Sequence, residues 1–152
     1  MKNILFIFIV LLFSRCTEQG EDRKYNYTIT NNSGVIIEMI PYFSGKKDVK
    51  YKITINNDEK FNKVYTDQPP YTGGLVMDAI LFSGSNQNNL THIEITFNNY
   101  KKIIYQGCTE TNQCFNQPRN IFNPIFSDER TETYIISLED YQNAIDCGGN
   151  CN

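Results

Sequence analysis

Apolar and polar residues alternate with a period of two along most of this chain, a pattern that predicts β-strands. Residues 25–30 read YNYTIT, which places tyrosine and isoleucine on one face and polar residues on the other. Clusters of Asn, Ser, Gly and Pro separate the apolar segments at intervals of roughly ten residues. These patterns predict eight strands: Tyr25–Thr30, Val35–Phe43, Tyr51–Ile55, Phe61–Thr66, Leu75–Phe82, Thr91–Phe97, Tyr100–Gln106 and Thr133–Ile136.

Short polar turns predict which strands pair. The turn NND at residues 56–58 predicts a hairpin between the third and fourth strands, with one face in solvent. The turn NN at residues 98–99 predicts a second hairpin, between the sixth and seventh strands. Val35–Phe43 is apolar on both faces, so we expect it at the centre of a sheet. Asp67–Gly74 contains two prolines and two glycines and is a predicted loop.

The period changes to that of a helix near the C-terminus. Ser137 and Asp140 have the spacing of a capping box, and Gly148-Gly149 is expected to end the helix. An apolar stripe at helical spacing lies between them, formed by Leu138, Tyr141, Ala144 and Ile145. The whole pattern predicts an all-β fold: an antiparallel β-sandwich, immunoglobulin-like or related, of about eight strands with one short C-terminal helix.

The first sixteen residues have the composition of an export signal. Lys2 precedes an apolar run of ten residues, Ile4–Phe13, which is shorter than the roughly 20 residues that cross a bilayer as a helix. Cys16 follows, so the segment resembles the lipobox of bacterial lipoproteins, with Arg15 where that motif usually has a small residue. The resemblance implies cleavage before Cys16 and attachment to a membrane through acyl chains on that cysteine.

This resemblance divides the chain into three parts. Residues 1–15 are predicted to be the signal peptide, residues 16–24 the lipidated cysteine with a flexible tether, and residues 25–152 a single β-sandwich domain. The alternative is ordinary cleavage after Cys16, which would release a freely secreted protein.

Four more cysteines are predicted to form two disulfides, because an even number in an exported chain is typical of disulfide bonding. The alternative is a zinc site with four thiolate ligands. We expect each disulfide to join the loop at residues 108–114 to the C-terminal tail, because closing a long loop restricts the unfolded chain more. The cysteines are Cys108, Cys114, Cys147 and Cys151.

The charge of the chain argues against nucleic acid as a partner. The net charge is -3, and removal of Lys2 and Arg15 with the signal peptide would lower it to -5. Lys46-Lys47 and Lys101-Lys102 are isolated pairs in the sequence rather than a basic patch.

Motifs for catalysis are absent from the sequence. His92 is the single histidine, and alternation places it with Glu94 on the face of its strand predicted to meet solvent. No nucleotide-binding, zinc-protease or calcium-binding motif occurs. We therefore predict no catalytic residue, no cofactor, no metal ion and no enzymatic activity.

Tyr71, at the tip of the Asp67–Gly74 loop, is the candidate binding residue, because exposed aromatic side chains on loops often anchor ligands. The alternative is that Tyr71 folds back and covers an open end of the sandwich.

The segments THIEITFNNYKKIIY and YIISLEDYQNA, after a lipobox and a polar tether, resemble a group of small Gram-negative lipoproteins with no assigned activity. The resemblance implies an outer-membrane lipoprotein that faces the cell surface or the periplasm. We expect a non-enzymatic protein with a binding or structural role, held to the membrane by Cys16, whose ligand is a protein or a glycan. The alternatives are a periplasmic inhibitor or immunity lipoprotein, and a hydrolase that uses carboxylates.

Overall fold

A computed structural model describes residues 20–71, 76–82, 90–109, 114–127 and 129–151. The predicted signal peptide, Cys16 and the start of the tether lie outside these residues. The described residues form nine strands and two short helices: β1 (Arg23–Asn32), β2 (Ile37–Phe43), β3 (Lys46–Lys47), β4 (Ile53–Ile55), β5 (Lys60–Asp67), α1 (Met77–Leu81), β6 (Leu90–Phe97), β7 (Lys101–Gln106), β8 (Thr131–Ser137), α2 (Leu138–Asn143) and β9 (Ile145–Asp146). The predicted all-β, sandwich-like fold with a short C-terminal helix is confirmed.

Sheet A has three strands in the order β5-β1-β8, with β1 at its centre. β1 pairs antiparallel with β5, and Arg23 lies opposite Asp67 at one end of this ladder. β1 pairs parallel with β8, in a register from Asn26 opposite Thr131 to Asn32 opposite Ser137. This parallel ladder is a departure from the antiparallel pairing expected throughout the sandwich.

Sheet B has six strands, in the order β3-β2-β6-β7-β9 with β4 also paired to β2. β2 is central, as its apolar residues on both faces predicted. The predicted hairpin of β6 and β7 is confirmed. Asn98 and Asn99 form its turn with φ of 47° and 59°, a left-handed conformation that Asn tolerates and that tight hairpin turns require.

The other predicted hairpin is wrong. β4 pairs with β2 in sheet B, whereas β5 pairs with β1 in sheet A, so the turn at residues 56–59 carries the chain from one sheet to the other. Two backbone hydrogen bonds hold this crossing to sheet A: Asn31 N donates to Glu59 O at 3.0 Å, and Asp58 N donates to Asn31 O at 2.7 Å. Alternation defines the two faces of a strand but does not choose its partner.

The predicted strand Leu75–Phe82 is also wrong, because Met77–Leu81 forms the helix α1. Met77, Ile80 and Leu81 are all buried, and their spacing of three and four residues is that of a helix face rather than a strand. A short apolar run is ambiguous between the two structures, and here packing against β1 and β5 favours the helix.

Both sheets contribute to one apolar core. Side chains that point inward from β1, β2, β6 and β8 fill it, together with the buried face of α1. The largest of these buried side chains are Tyr27, Ile29, Ile37, Met39, Ile93, Ile95, Phe97 and Tyr134. Residues 93, 95 and 97 share the core face of β6, as alternation predicted.

The C-terminal helix begins as predicted and ends early. Ser137 and Asp140 form the full capping box, but α2 ends at Asn143 and not at Gly148-Gly149. The predicted four-residue apolar stripe is wrong, because Leu138 is 52% exposed and Ile145 is 72% exposed. Ile145 instead begins β9, which pairs with the start of β7.

Candidate functional site

Glu94 is the most deeply buried charged residue on the outer face of sheet B. Alternation placed it in solvent, but the structure shows its side chain only 1% exposed. β6 lies between β2 and β7, so strands flank Glu94 on both sides. Ile40, its cross-strand partner on β2, and Thr96 are buried on the same face. The prediction of a solvated face is therefore wrong at this position.

Three side chains from distant parts of the chain bind the Glu94 carboxylate. Lys47 Nζ lies 2.6 Å from Oε1, Lys102 Nζ lies 3.8 Å from Oε2, and the Tyr42 hydroxyl donates to Oε2 at 2.9 Å. Burial, the hydrogen bond to Glu94 and the negative charge of Glu94 together raise the pKa of Tyr42 to about 12. A buried carboxylate requires such partners, because its desolvation is costly when it is unpaired.

His92 borders this network without joining it. Its ring lies edge-on to Tyr42 with centroids 5.8 Å apart, and its Nδ1 is 3.0 Å from Thr91 Oγ1. The side chain is half-buried, so the predicted exposure is only partly correct.

A shallow groove lies next to Glu94 along β2. Between β3 and β4 the chain leaves the sheet and forms a 3₁₀ turn at Val49–Tyr51, which stands as a wall beside β2. One part of the groove has a volume of about 370 Å³ and is lined by Glu38, Ile40, Lys47, Val49 and Lys52.

The second part of the groove continues toward the β6–β7 turn. It has a volume of about 360 Å³ and is lined by Ile36, Glu38, Lys52, Asn98 and Asn99. Volumes of this size are at the lower end of those typical of ligand sites. Glu38 and Lys52 belong to both parts and form an ion pair at 2.5 Å. The groove thus has aliphatic side chains between two lysine–glutamate pairs.

The sequence contains one signal for this groove. Residues 46–52 read KKDVKYK, in which four lysines occur with one aspartate. Lys46-Lys47 alone appeared isolated because Lys102, which meets Lys47 at Glu94, is distant in sequence.

Tyr71 lies against the N-terminal segment of the domain. Its hydroxyl donates to the Glu21 carbonyl at 2.8 Å, and the Arg23 guanidinium lies 3.5 Å from its ring centroid. Gln68 Nε2 lies 3.4 Å from the Asp22 carboxylate oxygens. The described part of the predicted loop, residues 67–71, therefore holds the chain where it enters β1. Residues 72–74 of that loop lie outside the described residues.

The four cysteines form two local disulfides, Cys108–Cys114 and Cys147–Cys151, with Cα–Cα distances of 5.3 and 5.2 Å. Our expectation that they would join the loop to the tail is wrong. Hydrogen bonds hold the tail instead: Cys147 N donates to Tyr100 O at 2.8 Å, and Cys151 N donates to Asn99 Oδ1 at 3.1 Å.

Arg119, which is exposed, and the buried Asp140 form another ion pair, which joins the segment before β8 to α2. Arg119 Nε donates to Asp140 Oδ1 at 3.0 Å, and a terminal nitrogen donates to Oδ2 at 2.5 Å. Ser137 donates to Oδ2 from its backbone N at 2.7 Å and from its hydroxyl at 2.9 Å. Burial favours the neutral acid, but these hydrogen bonds outweigh it and lower the pKa of Asp140. Every partner is internal, so this cluster is structural.

Two features are absent from the described ranges. No group of three or more His, Cys, Asp or Glu residues there could hold a metal ion. No helix in that part of the chain is long and apolar enough to cross a membrane.

No family model, curated protein or solved structure matches the chain.

Proposed function

We propose that this protein is a lipoprotein of the bacterial outer membrane, anchored through acyl chains on Cys16, whose domain binds a ligand without catalysis. The leader, Cys16 and the polar tether support the anchor. The domain faces the cell surface or the periplasm.

The length of the tether limits how far the domain can lie from the membrane. Seven residue steps separate Cys16 from Arg23, the first residue of β1, and even a fully extended chain of that length spans at most about 25 Å. Tyr71 and Gln68 hold residues 21–23 against the domain, so the anchored end of the sandwich has a defined orientation.

The observation that carries the binding role is the position of the groove relative to this anchored end. β1 extends about 30 Å from Arg23 to Asn32. The second part of the groove lies at the Asn32 end, since Asn98 N donates to Ile36 O at 2.9 Å and Asn31 Nδ2 donates to Val35 O at 2.8 Å. An anchored domain would therefore present this second part of the groove away from the bilayer.

The anchor is tested by labelling cells with a palmitate analogue and by protease treatment of intact cells that carry a C-terminally tagged copy. We expect Cys16→Ala to lose the label and the membrane association. The matched control is the double variant Cys108→Ala/Cys114→Ala, which also lacks cysteines but keeps Cys16 and should keep the label. A label that persists in Cys16→Ala would refute the anchor.

The same cells distinguish the two membrane faces. Loss of the tag from intact cells indicates the cell surface, whereas protection until the outer membrane is opened indicates the periplasm.

A further inference from the structure

We propose that the groove along β2 binds an extended peptide segment of a partner protein, one that carries both acidic and aliphatic side chains. This inference rests on the proposed binding role but not on the membrane anchor. Three properties of the groove support it: its charge, its apolar floor and its shape.

The charge at the groove is opposite to that of the chain. The net charge of the whole chain is -3, yet the wall segment at residues 46–52 has four lysines and one aspartate. The acids beside the groove are already bonded, Glu94 to Lys47 and Glu38 to Lys52. A lysine ammonium has three donors, so both lysines retain donors for carboxylates of a ligand. Complementary charge of this kind selects an acidic partner and speeds its association.

The floor and wall of the groove are aliphatic. Val49 is 63% exposed on the 3₁₀ turn and Ile36 is 38% exposed where the chain enters β2, while Ile40 lies beneath them and is only 1% exposed. An apolar centre within a polar rim is the usual composition of a protein–protein interface. Among the described residues that line the groove there is no aromatic ring, and this favours a peptide with aliphatic side chains over a sugar.

The shape fits an extended segment. The two parts are joined at the Glu38–Lys52 ion pair and follow β2 from Lys47 to the Asn98-Asn99 turn. In an extended peptide, alternate side chains face the same side, so aliphatic residues at every second position can contact Val49 and Ile36 while acids lie near the lysines.

The test measures fluorescence anisotropy of labelled peptides with the full-length protein in mild detergent. The probe alternates Glu and Val. One comparison peptide alternates Lys and Val, to test charge, and the other alternates Glu and Ser, to test the apolar term. We expect the Glu/Val peptide to bind at least about tenfold more tightly than either comparison peptide.

Two substitutions in the groove have matched controls on sheet A. Lys52→Glu and Val49→Asp are each expected to weaken binding by about tenfold. Lys60→Glu and Val64→Asp make the same changes at exposed positions on β5 and should stay within about twofold of the original protein. Lys52→Gln is a milder second variant should Lys52→Glu fail to fold, with an expected loss of about threefold.

Several outcomes would overturn the proposal. These are equal affinity for the Glu/Val and Lys/Val peptides, no binding at all, or equal losses in the groove variants and their controls. Tight binding of polygalacturonate without binding of the Glu/Val peptide would assign the groove to an anionic glycan instead. Self-association that Val49→Asp abolishes would assign it to a second copy of the chain. Failure here leaves the Cys16 labelling result unchanged, so the two proposals fail separately.

Discussion

Asp140 joins three segments of the chain, and its removal gives the sharpest test of this structure. Its carboxylate accepts two hydrogen bonds from Arg119 and two from Ser137, which connect the segment before β8, the end of β8 and α2. Asp140→Ala removes all four bonds and leaves one half of the capping box, the hydrogen bond from the backbone N of residue 140 to Ser137 Oγ. We therefore expect a loss of stability well above that of an ordinary surface substitution.

The magnitude follows from the exposure of each partner. Arg119 is 45% exposed, so water can replace part of what it loses, and its bonds contribute about 1 kcal/mol. The two hydrogen bonds from Ser137 contribute about 1 kcal/mol more, because its backbone N and its hydroxyl lose their acceptor. The free energy of unfolding should therefore fall by about 2 kcal/mol, which lowers the midpoint of urea unfolding by about 1 M.

The assay is a urea titration followed by far-UV circular dichroism and by tyrosine fluorescence, since the chain has no tryptophan. Glu139→Ala is the matched control, because this neighbour is exposed in the first turn of α2 and should cost about 0.5 kcal/mol or less. Asp140→Asn keeps an acceptor for the cap without the charge and should fall between the two. The reasoning fails if Asp140→Ala is no more destabilising than Glu139→Ala.

Three further predictions concern acid, the core and the disulfides. Because the folded-state pKa of Asp140 is lowered from 3.8, its contribution is present above that pH and is lost as the pH falls through the folded-state pKa. Below pH 3.8, the free energy of unfolding should therefore fall less steeply with decreasing pH in Asp140→Asn than in the original protein. Phe97→Ala should cost about 3–5 kcal/mol in urea unfolding, against less than about 1 for the exposed Val64→Ala. Replacing Cys108 and Cys114 together with serine should lower the free energy of unfolding by about 2 kcal/mol, because the loop that they close is short. A larger loss, together with changed contacts of the C-terminal tail, would contradict the local pairing.

The parts of the fold that sequence predicted well depend on local chemistry. Asn98-Asn99 determines its own turn because Asn tolerates positive φ, and Ser137 caps a helix through a residue only three positions away. The face of β6 that carries Ile95 followed directly from alternation.

The features that the sequence did not predict depend on distant partners. Glu94 appeared solvent-exposed because the residues that bury and neutralise it come from β2, β3 and β7, and no local pattern brings Lys47 to Lys102. The groove was missed for the same reason. Its wall is the 3₁₀ turn Val49–Tyr51, which overlaps the predicted strand Tyr51–Ile55 only at Tyr51. Ile40, beneath it, is on the face of β2 that Glu94 also faces, and the sequence did not show that these two residues meet.

The parallel pairing of β1 with β8 affects when the protein can fold. β1 is the central strand of sheet A, yet its second neighbour begins at Thr131, more than a hundred residues later. Sheet A therefore cannot be completed until the last part of the chain is available, and contacts of such long range form slowly. In a polypeptide threaded through a translocation pore from its N-terminus, sheet A would therefore stay incomplete until nearly all of the chain had crossed.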